Sequence, residues 1–249
     1  MEKIENKIRF GLIGKNIEYS FSRAYFTQKF KDLNIDNYSY ENFDFQDIHE
    51  LAAVLKNETD IRGFNVTIPY KEEVITFLSE IDRKAAAIGA VNTIKFTKKG
   101  LKGYNTDYYG FQQSIAPFLK KQHKKALILG TGGASKAVAF VFKELGIAYT
   151  FVSRKPKNEQ LTYSDLNAKI IEEHMVIVNC TPLGTFPDIE LKPDIPYSFI
   201  GKKHLLFDLI YNPEKTAFLL EGESRGATIK NGDKMLELQA EKAWEIWND

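Results

Sequence analysis

Four apolar residues, Ala126-Leu127-Ile128-Leu129, run straight into Gly130-Thr131-Gly132-Gly133-Ala134-Ser135, after which Ala137, Val138, Val141, Phe142 and Leu145 join Ala134 at helical spacing. A strand apolar on both faces is one buried between layers, and the helical repeat that follows predicts a crossover helix packed on a parallel sheet. Glycines at such a junction let the backbone approach a pyrophosphate at the helix N-terminus, so the stretch predicts a βα unit that binds a dinucleotide. Ser135 stands in place of the last glycine of the usual fingerprint and is still small enough for close packing. The next strand, 148–152, ends in Ser153-Arg154-Lys155. An NAD site places an acidic residue there for the ribose 2′-hydroxyl, whereas cations suit a 2′-phosphate, which points to NADP. Strands over 175–178, 205–209 and 227–230 and a helix over 214–225 continue the α/β pattern.

The rest of the chain bounds the answer. Its 249 residues suffice for two modest domains, and 43% hydrophobic with 27% charged residues is ordinary for a globular protein. A net charge of +1 gives no global attraction to nucleic acid or acidic membranes. The one basic cluster, Lys120, Lys121, Lys124 and Lys125 around His123, reads as a solvated helix end. Residues 1–7 alternate charge and carry no apolar core, so they read as neither secretion signal nor membrane anchor. The single cysteine, Cys180, excludes an intramolecular disulfide and fits a reducing cytoplasm; it reads as a small residue packed at a strand end. No His, Cys or carboxylate cluster has metal-ligand spacing.

In the first half, a strand over 8–14 ends in Gly14 and leads to a helix over 23–33, with Ser20 and Ser22 at the junction. Two hydroxyls at a helix N-terminus can hold a carboxylate, or one of them can simply be the N-cap. A strand over 38–43 and a helix over 47–56 follow. Gly63-Phe64-Asn65-Val66-Thr67-Ile68-Pro69-Tyr70-Lys71 then reads as a strand that alternates polar with apolar and runs through a proline turn into a helix. Asn65 and Thr67 on one buried face need partners, which a polyhydroxylated ligand could supply. Lys71 in a first helical turn opposes the helix dipole, which marks it as functional unless the strand is an edge and the lysine solvated. A short helix over 82–88 stops at Gly89, and 90–96 pairs with 101–104 as a hairpin that carries Asn92 and Thr93. Asn105-Thr106-Asp107 opens a helix over 108–120, where Thr106 or Asp107 reads as a cap. A closing amphipathic helix over 235–247 carries Gln239.

Taken together, Ser20-Phe21-Ser22, Asn65-Val66-Thr67-Ile68-Pro69-Tyr70-Lys71, Gly89-Ala90-Val91-Asn92-Thr93, Asn105-Thr106-Asp107 and Met235-Leu236-Glu237-Leu238-Gln239 make the chain resemble the shikimate dehydrogenases over nearly its whole length. The resemblance implies an α/β protein of two domains. A substrate domain would span 1–104, a Rossmann-type NADP domain 105–232, and the C-terminal helix, 233–249, would return to the first. It implies that Ser20, Ser22 and Tyr211 hold the substrate carboxylate with Thr67 nearby, and that Asn65, Lys71, Asn92, Asp107 and Gln239 hold the ring hydroxyls. Gly130, Thr131, Gly132, Gly133, Ala134, Ser135, Ser153, Arg154, Lys155 and Thr181 would bind NADP. Departures from the family pattern are Tyr19 for histidine, Arg23 for proline, Lys155 for threonine, Asn158 for a second arginine, and Asp233-Lys234 for an apolar residue and glycine. The preference for NADP therefore rests mainly on Arg154, and Asp233-Lys234 bears on cofactor affinity.

The activity implied is reversible NADPH-dependent reduction of 3-dehydroshikimate to shikimate, on the route to chorismate and the aromatic amino acids. Lys71 and Asp107 would be its catalytic pair. A lysine is ordinarily protonated at neutral pH, and a neighbouring Asp107 would keep it loaded as the acid that protonates the developing alkoxide. The alternatives are a quinate/shikimate dehydrogenase that uses NAD and a non-catalytic NADP- or ligand-binding homologue. Partners are expected to be the small-molecule substrate, with no nucleic acid or membrane, in a monomer or homodimer.

Overall fold

The computed structural model describes residues 7–18 and 20–249; the charged stretch 1–6 and Tyr19 lie outside the described residues. The chain divides into two compact units, one running to Thr106 and taking in Ala240–Asp249, the other formed by Asp107–Gln239.

The first unit begins with β1 (Ile8–Gly14), α1 (Phe21–Asp32), β2 (Tyr38–Asp44), α2 (Glu50–Asn57) and β3 (Ile61–Val66). It continues with β4 (Glu80–Ile81), α3 (Arg83–Ile88), β5 (Thr93–Thr97) and β6 (Gly100–Tyr104). Its six strands form one mixed sheet in the order β2-β1-β3-β5-β6-β4. β1 is parallel to both β2 and β3, while β5 is antiparallel to β3 and β6. At the strand starts the Arg9 guanidinium bonds Asp60 at 2.8 Å and Glu41 at 3.1 Å and also reaches Glu58, so one cation ties the entry ends of three strands together. That bonding raises the Arg9 pKa and holds the Asp60 carboxyl below its usual range.

Alternation along the strands splits the core into two layers. Ile13, Phe64, Val66 and Ile94 face a cluster that includes Leu51 of α2 and Ala85 of α3. Phe10, Leu12 and Tyr40 face the other way, onto Phe26 and Phe30 of α1 and onto Ala243 and Trp247 near the chain end. Trp247 explains Gly63: a Cβ there would stand 2.2 Å from the indole nitrogen, which donates to the Ile94 carbonyl at 2.9 Å.

The second unit carries α4 (Asp107–Ile115), β7 (Lys125–Leu129), α5 (Gly133–Glu144), β8 (Ala148–Val152), α6 (Ala168–Glu173) and β9 (Val176–Asn179). β10 (Leu205–Asp208), α7 (Ala217–Ser224), β11 (Thr228–Lys230) and α8 (Asp233–Asn248) complete it, with the last turns of α8 counted in the first unit. The sheet is all parallel, in the order β11-β10-β9-β7-β8. Ala126 and Ile128 face Phe111 of α4 and Phe142 of α5, whereas Leu127 and Leu129 face Ile171 of α6 and Phe218 of α7. This is the doubly wound architecture that the apolar strand before Gly130 predicts.

Several expected elements are redrawn. β3 ends at Val66, so Thr67 lies beyond the ladder and the alternation applies to Asn65 alone. No α-helix starts at Lys71; turns lead instead to a 3₁₀ segment, Glu73–Phe77, so Lys71 opposes no helix dipole. α4 stops at Ile115 and gives way to a 3₁₀ turn, Ala116–Phe118, because Pro117 has no N–H to extend the helix. Residues 214–216 are not helical: the Thr216 hydroxyl caps α7 by accepting from Leu219 N–H. Leu145 sits past the end of α5 and is exposed instead of completing the buried stripe.

A methyl group at position 63 would have to displace Trp247. Gly63→Ala is expected to destabilise the protein by about 2 kcal/mol in urea unfolding, with altered tryptophan fluorescence, as overpacking does elsewhere; unchanged stability would show that Trp247 does not close over the sheet.

Candidate active-site residues

In the first unit, the carboxyl ends of the parallel strands carry a buried polar network. Asn65 at the end of β3 stands opposite Thr93 of β5, and Thr93 opposite Tyr104 of β6. The Asn65 amide nitrogen donates to Thr93 Oγ1 at 3.2 Å and approaches the Asn92 carbonyl at 3.4 Å, and its Oδ1 accepts from Tyr40 Oη at 2.8 Å. The Asn92 side chain clasps Thr106: Nδ2 donates to Thr106 Oγ1 at 3.0 Å, and Oδ1 accepts Thr106 N–H at 2.6 Å. Asn105 donates to the Ala90 carbonyl at 2.9 Å. The polar residues thus find partners largely among themselves, and Asn65 has the partners its burial calls for within the protein.

The Ser20 hydroxyl is different. Ser20 occupies the N-cap position of α1 yet makes no side-chain cap bond, and its Oγ is buried without a hydrogen-bond partner. Capping alone therefore does not account for it. Its backbone N–H donates to the Ile17 carbonyl at 3.1 Å, and the same carbonyl accepts from the Asn42 amide at 2.9 Å. Asn42 Oδ1 is the second buried unpartnered atom among the described residues. Asp44 accepts the backbone N–H groups of Asn16 and Ile17 at 2.8 and 3.2 Å. One face of β2 therefore shapes the loop that leads to Ser20 through Asn42 and Asp44, and reaches Asn65 through Tyr40. Sequence reading missed these three residues; their period-two spacing in a predicted strand is the signal that could have found them.

Ser22, in the first turn of α1, is buried and lies near the Tyr40 phenol. Burial pushes the Tyr40 phenol pKa well above its ordinary value, opposed by the nearby Ser22 hydroxyl. Thr67 lies just past β3, where its N–H donates to the Ile13 carbonyl at 2.8 Å. Lys71 is half-buried, and its carbonyl accepts Val91 N–H at 2.7 Å, which joins its turn to the segment that leads into Asn92.

In the second unit, Asp107 opens α4 and is buried; Gln239 lies buried on α8, where its amide donates to the Leu236 carbonyl at 3.0 Å. Tyr211 follows β10 and is partly exposed, and desolvation raises its pKa. The glycine turn fills the carboxyl end of β7, between neighbours β8 and β9, which is where the strand order switches and where ligands bind in such sheets. Gly130 has φ +99°, a conformation open to glycine, and a Cβ there would press on Thr181 and Cys180. A Cβ at Gly132, the N-cap of α5, would meet nothing, and no side chain caps that helix. The uncapped helix start fits a diphosphate. Ser135 is buried and spends its proton on the Gly132 carbonyl at 2.7 Å, so its hydroxyl braces the turn. Ser153 follows β8 and accepts Lys155 N–H at 3.2 Å, while Arg154 and Lys155 are exposed and no carboxylate stands among these three. The donor set fits a 2′-phosphorylated dinucleotide.

Thr181 and Tyr211 are held through one buried carboxylate. Asp208, at the end of β10, accepts from Thr216 Oγ1 at 2.6 Å, Ile210 N–H at 3.0 Å and Asn179 Nδ2 at 3.1 Å. Asn179 Oδ1 in turn accepts from the Thr181 hydroxyl at 2.7 Å. Desolvation raises the Asp208 pKa to about 6 against these three hydrogen bonds. Burial likewise pushes up the Cys180 thiol, which is inert packing at the end of β9.

The comparisons with known proteins agree along the chain. Residues 12–94 match the family model for the shikimate dehydrogenase substrate binding domain. The NADP⁺ shikimate dehydrogenase of Caldicellulosiruptor saccharolyticus is 34% identical over 96% of this chain and 91% of its own. That of Methanococcus maripaludis is 39% identical over 95% and 90%. The crystal structure of shikimate 5-dehydrogenase from Thermus thermophilus in complex with NADP(H) and shikimate superposes with a TM-score of 0.84 at 29% identity, covering 96% of this chain and 93% of that one. Among the described residues no helix is long and apolar enough to cross a membrane.

A carboxylate whose folded pKa exceeds its unfolded one binds more protons when folded, so Asp208 should lower stability as pH rises from about 4 to about 6. Urea unfolding across that range is expected to show this decline in the wild type and its loss in Asp208→Asn; identical slopes would contradict the assignment.

Proposed function

The chain belongs to the shikimate dehydrogenase family, and on that premise we propose that it catalyses the reversible NADPH-dependent reduction of 3-dehydroshikimate to shikimate. It is thus an oxidoreductase acting on a CH–OH group, on the route to chorismate and the aromatic amino acids. The same reading makes it a cytoplasmic enzyme, working as a monomer or homodimer.

The observation that carries the substrate assignment is the buried, unpartnered Ser20 hydroxyl at the N-terminus of α1. A carboxylate there receives a hydroxyl proton and the positive end of the helix dipole. Ser22 adds a second hydroxyl, with Thr67 beside it. Asn65 and Asn92, already fixed by the network, present amide edges to ring hydroxyls, and their rigidity lowers the cost of orienting the ring. Tyr211, Asp107 and Gln239 join the substrate set through the family motifs they match. Gly130–Ser135, Ser153, Arg154, Lys155 and Thr181 bind the cofactor.

When bound, NADPH supplies the hydride to the ring carbonyl carbon. The protein's share is to hold the ring and protonate the carbonyl oxygen. Lys71 delivers that proton as an ammonium group and takes it back in the oxidation of shikimate; Asp107 is paired with it by the family motif alone. Asp208 holds Thr181 and the Tyr211 loop in register with β10.

Purified protein is expected to reduce NADP⁺ with shikimate, and much more slowly with NAD⁺ or quinate; binding without turnover would leave a non-catalytic homologue. Lys71→Ala should lose most of kcat with little change in KM for shikimate, and an unchanged kcat would remove Lys71 from proton transfer. Arg154→Ala should raise KM for NADP⁺ by about tenfold or more, as loss of a charge-assisted phosphate contact does, and leave KM for shikimate alone.

A further inference from the structure

β2 contributes nothing to the family motifs, yet one of its side chains bonds a residue assigned to substrate. Tyr40 is buried, with its ring stacked on Phe26 at 4.7 Å between centroids, and its phenol bonds Asn65. Resting on the shikimate reading above, we infer that Tyr40 is a positioning residue that sets the donor and acceptor polarity of the substrate site through Asn65.

The polarity follows from a backbone carbonyl. The Asn92 carbonyl can only accept, so the Asn65 atom that faces it is the amide nitrogen, and Oδ1 is the atom that faces Tyr40. Tyr40 must therefore donate its single proton to Asn65. This fixed direction reaches the substrate. Asn65 is locked with one Oδ1 lone pair unfilled by Tyr40, so it meets a ring hydroxyl as an acceptor. Tyr40 touches no substrate in this account; it acts through Asn65.

The test is Tyr40→Phe, which keeps the stacked ring and removes only the hydroxyl, checked for folding by circular dichroism and Tm. With wild-type turnover of shikimate and NADP⁺ established first, the variant is expected to raise KM for shikimate about five- to tenfold, the scale of one lost hydrogen bond. kcat should stay within about twofold, and KM for NADP⁺ should not move. In an Asn65→Ala background the same change should raise KM no further. An unchanged KM, a fall in kcat alone, or an equal rise with and without Asn65 would overturn the inference. If the variant does not fold, 3-fluorotyrosine placed at position 40 keeps ring and hydroxyl. Its fluorine resonance should then shift when shikimate is added, and a resonance unmoved at saturation would overturn the inference as well. A wild type that does not turn over shikimate at all would instead sink the functional reading.

Discussion

The hydrogen bonds that close Asn65, Asn92, Thr93 and Thr106 on one another are the constraint on which the first unit depends. Amides and hydroxyls at the buried end of a sheet are tolerable only when nearly every donor finds an acceptor, because each orphan costs about 1–3 kcal/mol. Here Asn92 fastens Thr106 beyond the end of β6, and Asn65 ties β3 to β5 and, through Tyr40, to β2. The same closure makes the polar edge rigid. A ligand that meets it encounters groups already oriented, and the buried unpartnered atoms among the described residues, Ser20 Oγ and Asn42 Oδ1, belong to two residues that both donate to the Ile17 carbonyl.

The second unit solves a parallel problem with a charge. Asp208 is fully buried and is held by three donors from three segments: the end of β9, the backbone after β10 and the cap of α7. Its raised pKa shows that the three bonds do not fully offset desolvation. Such a carboxylate is costly as a source of stability, but it fixes three chain reversals at the carboxyl edge of a parallel sheet, where cofactor sites in this architecture lie.

Much of this was legible in the sequence. The all-apolar 126–129 before a glycine turn specified a buried parallel strand and its crossover helix, because a strand covered on both faces has no polar alternation to show. Gly89 at φ +71° and the Asp82 cap gave the bounds of α3, since both work through local backbone chemistry. The stretch around Lys71 misled because a proline turn after a strand leads into a 3₁₀ segment between turns as readily as into a helix. Asn65 was recognised as odd for a core strand, but its partner Tyr40 lies 25 residues away on another strand, and only strand order brings the two together. Ser20 and Ser22 looked alike in sequence. Three dimensions separate them, one set near the Tyr40 phenol and the other buried without a hydrogen-bond partner.

The central claim is that the first unit receives a hydroxylated ring acid at this polar edge, with the acid group on Ser20. A crystal structure of the protein with shikimate tests it most directly. The account predicts the carboxylate within hydrogen-bonding distance of Ser20 Oγ and the ring hydroxyls on the amides of Asn65 and Asn92. Shikimate bound elsewhere, with Ser20 Oγ still unpartnered beside an unaltered network, would contradict it.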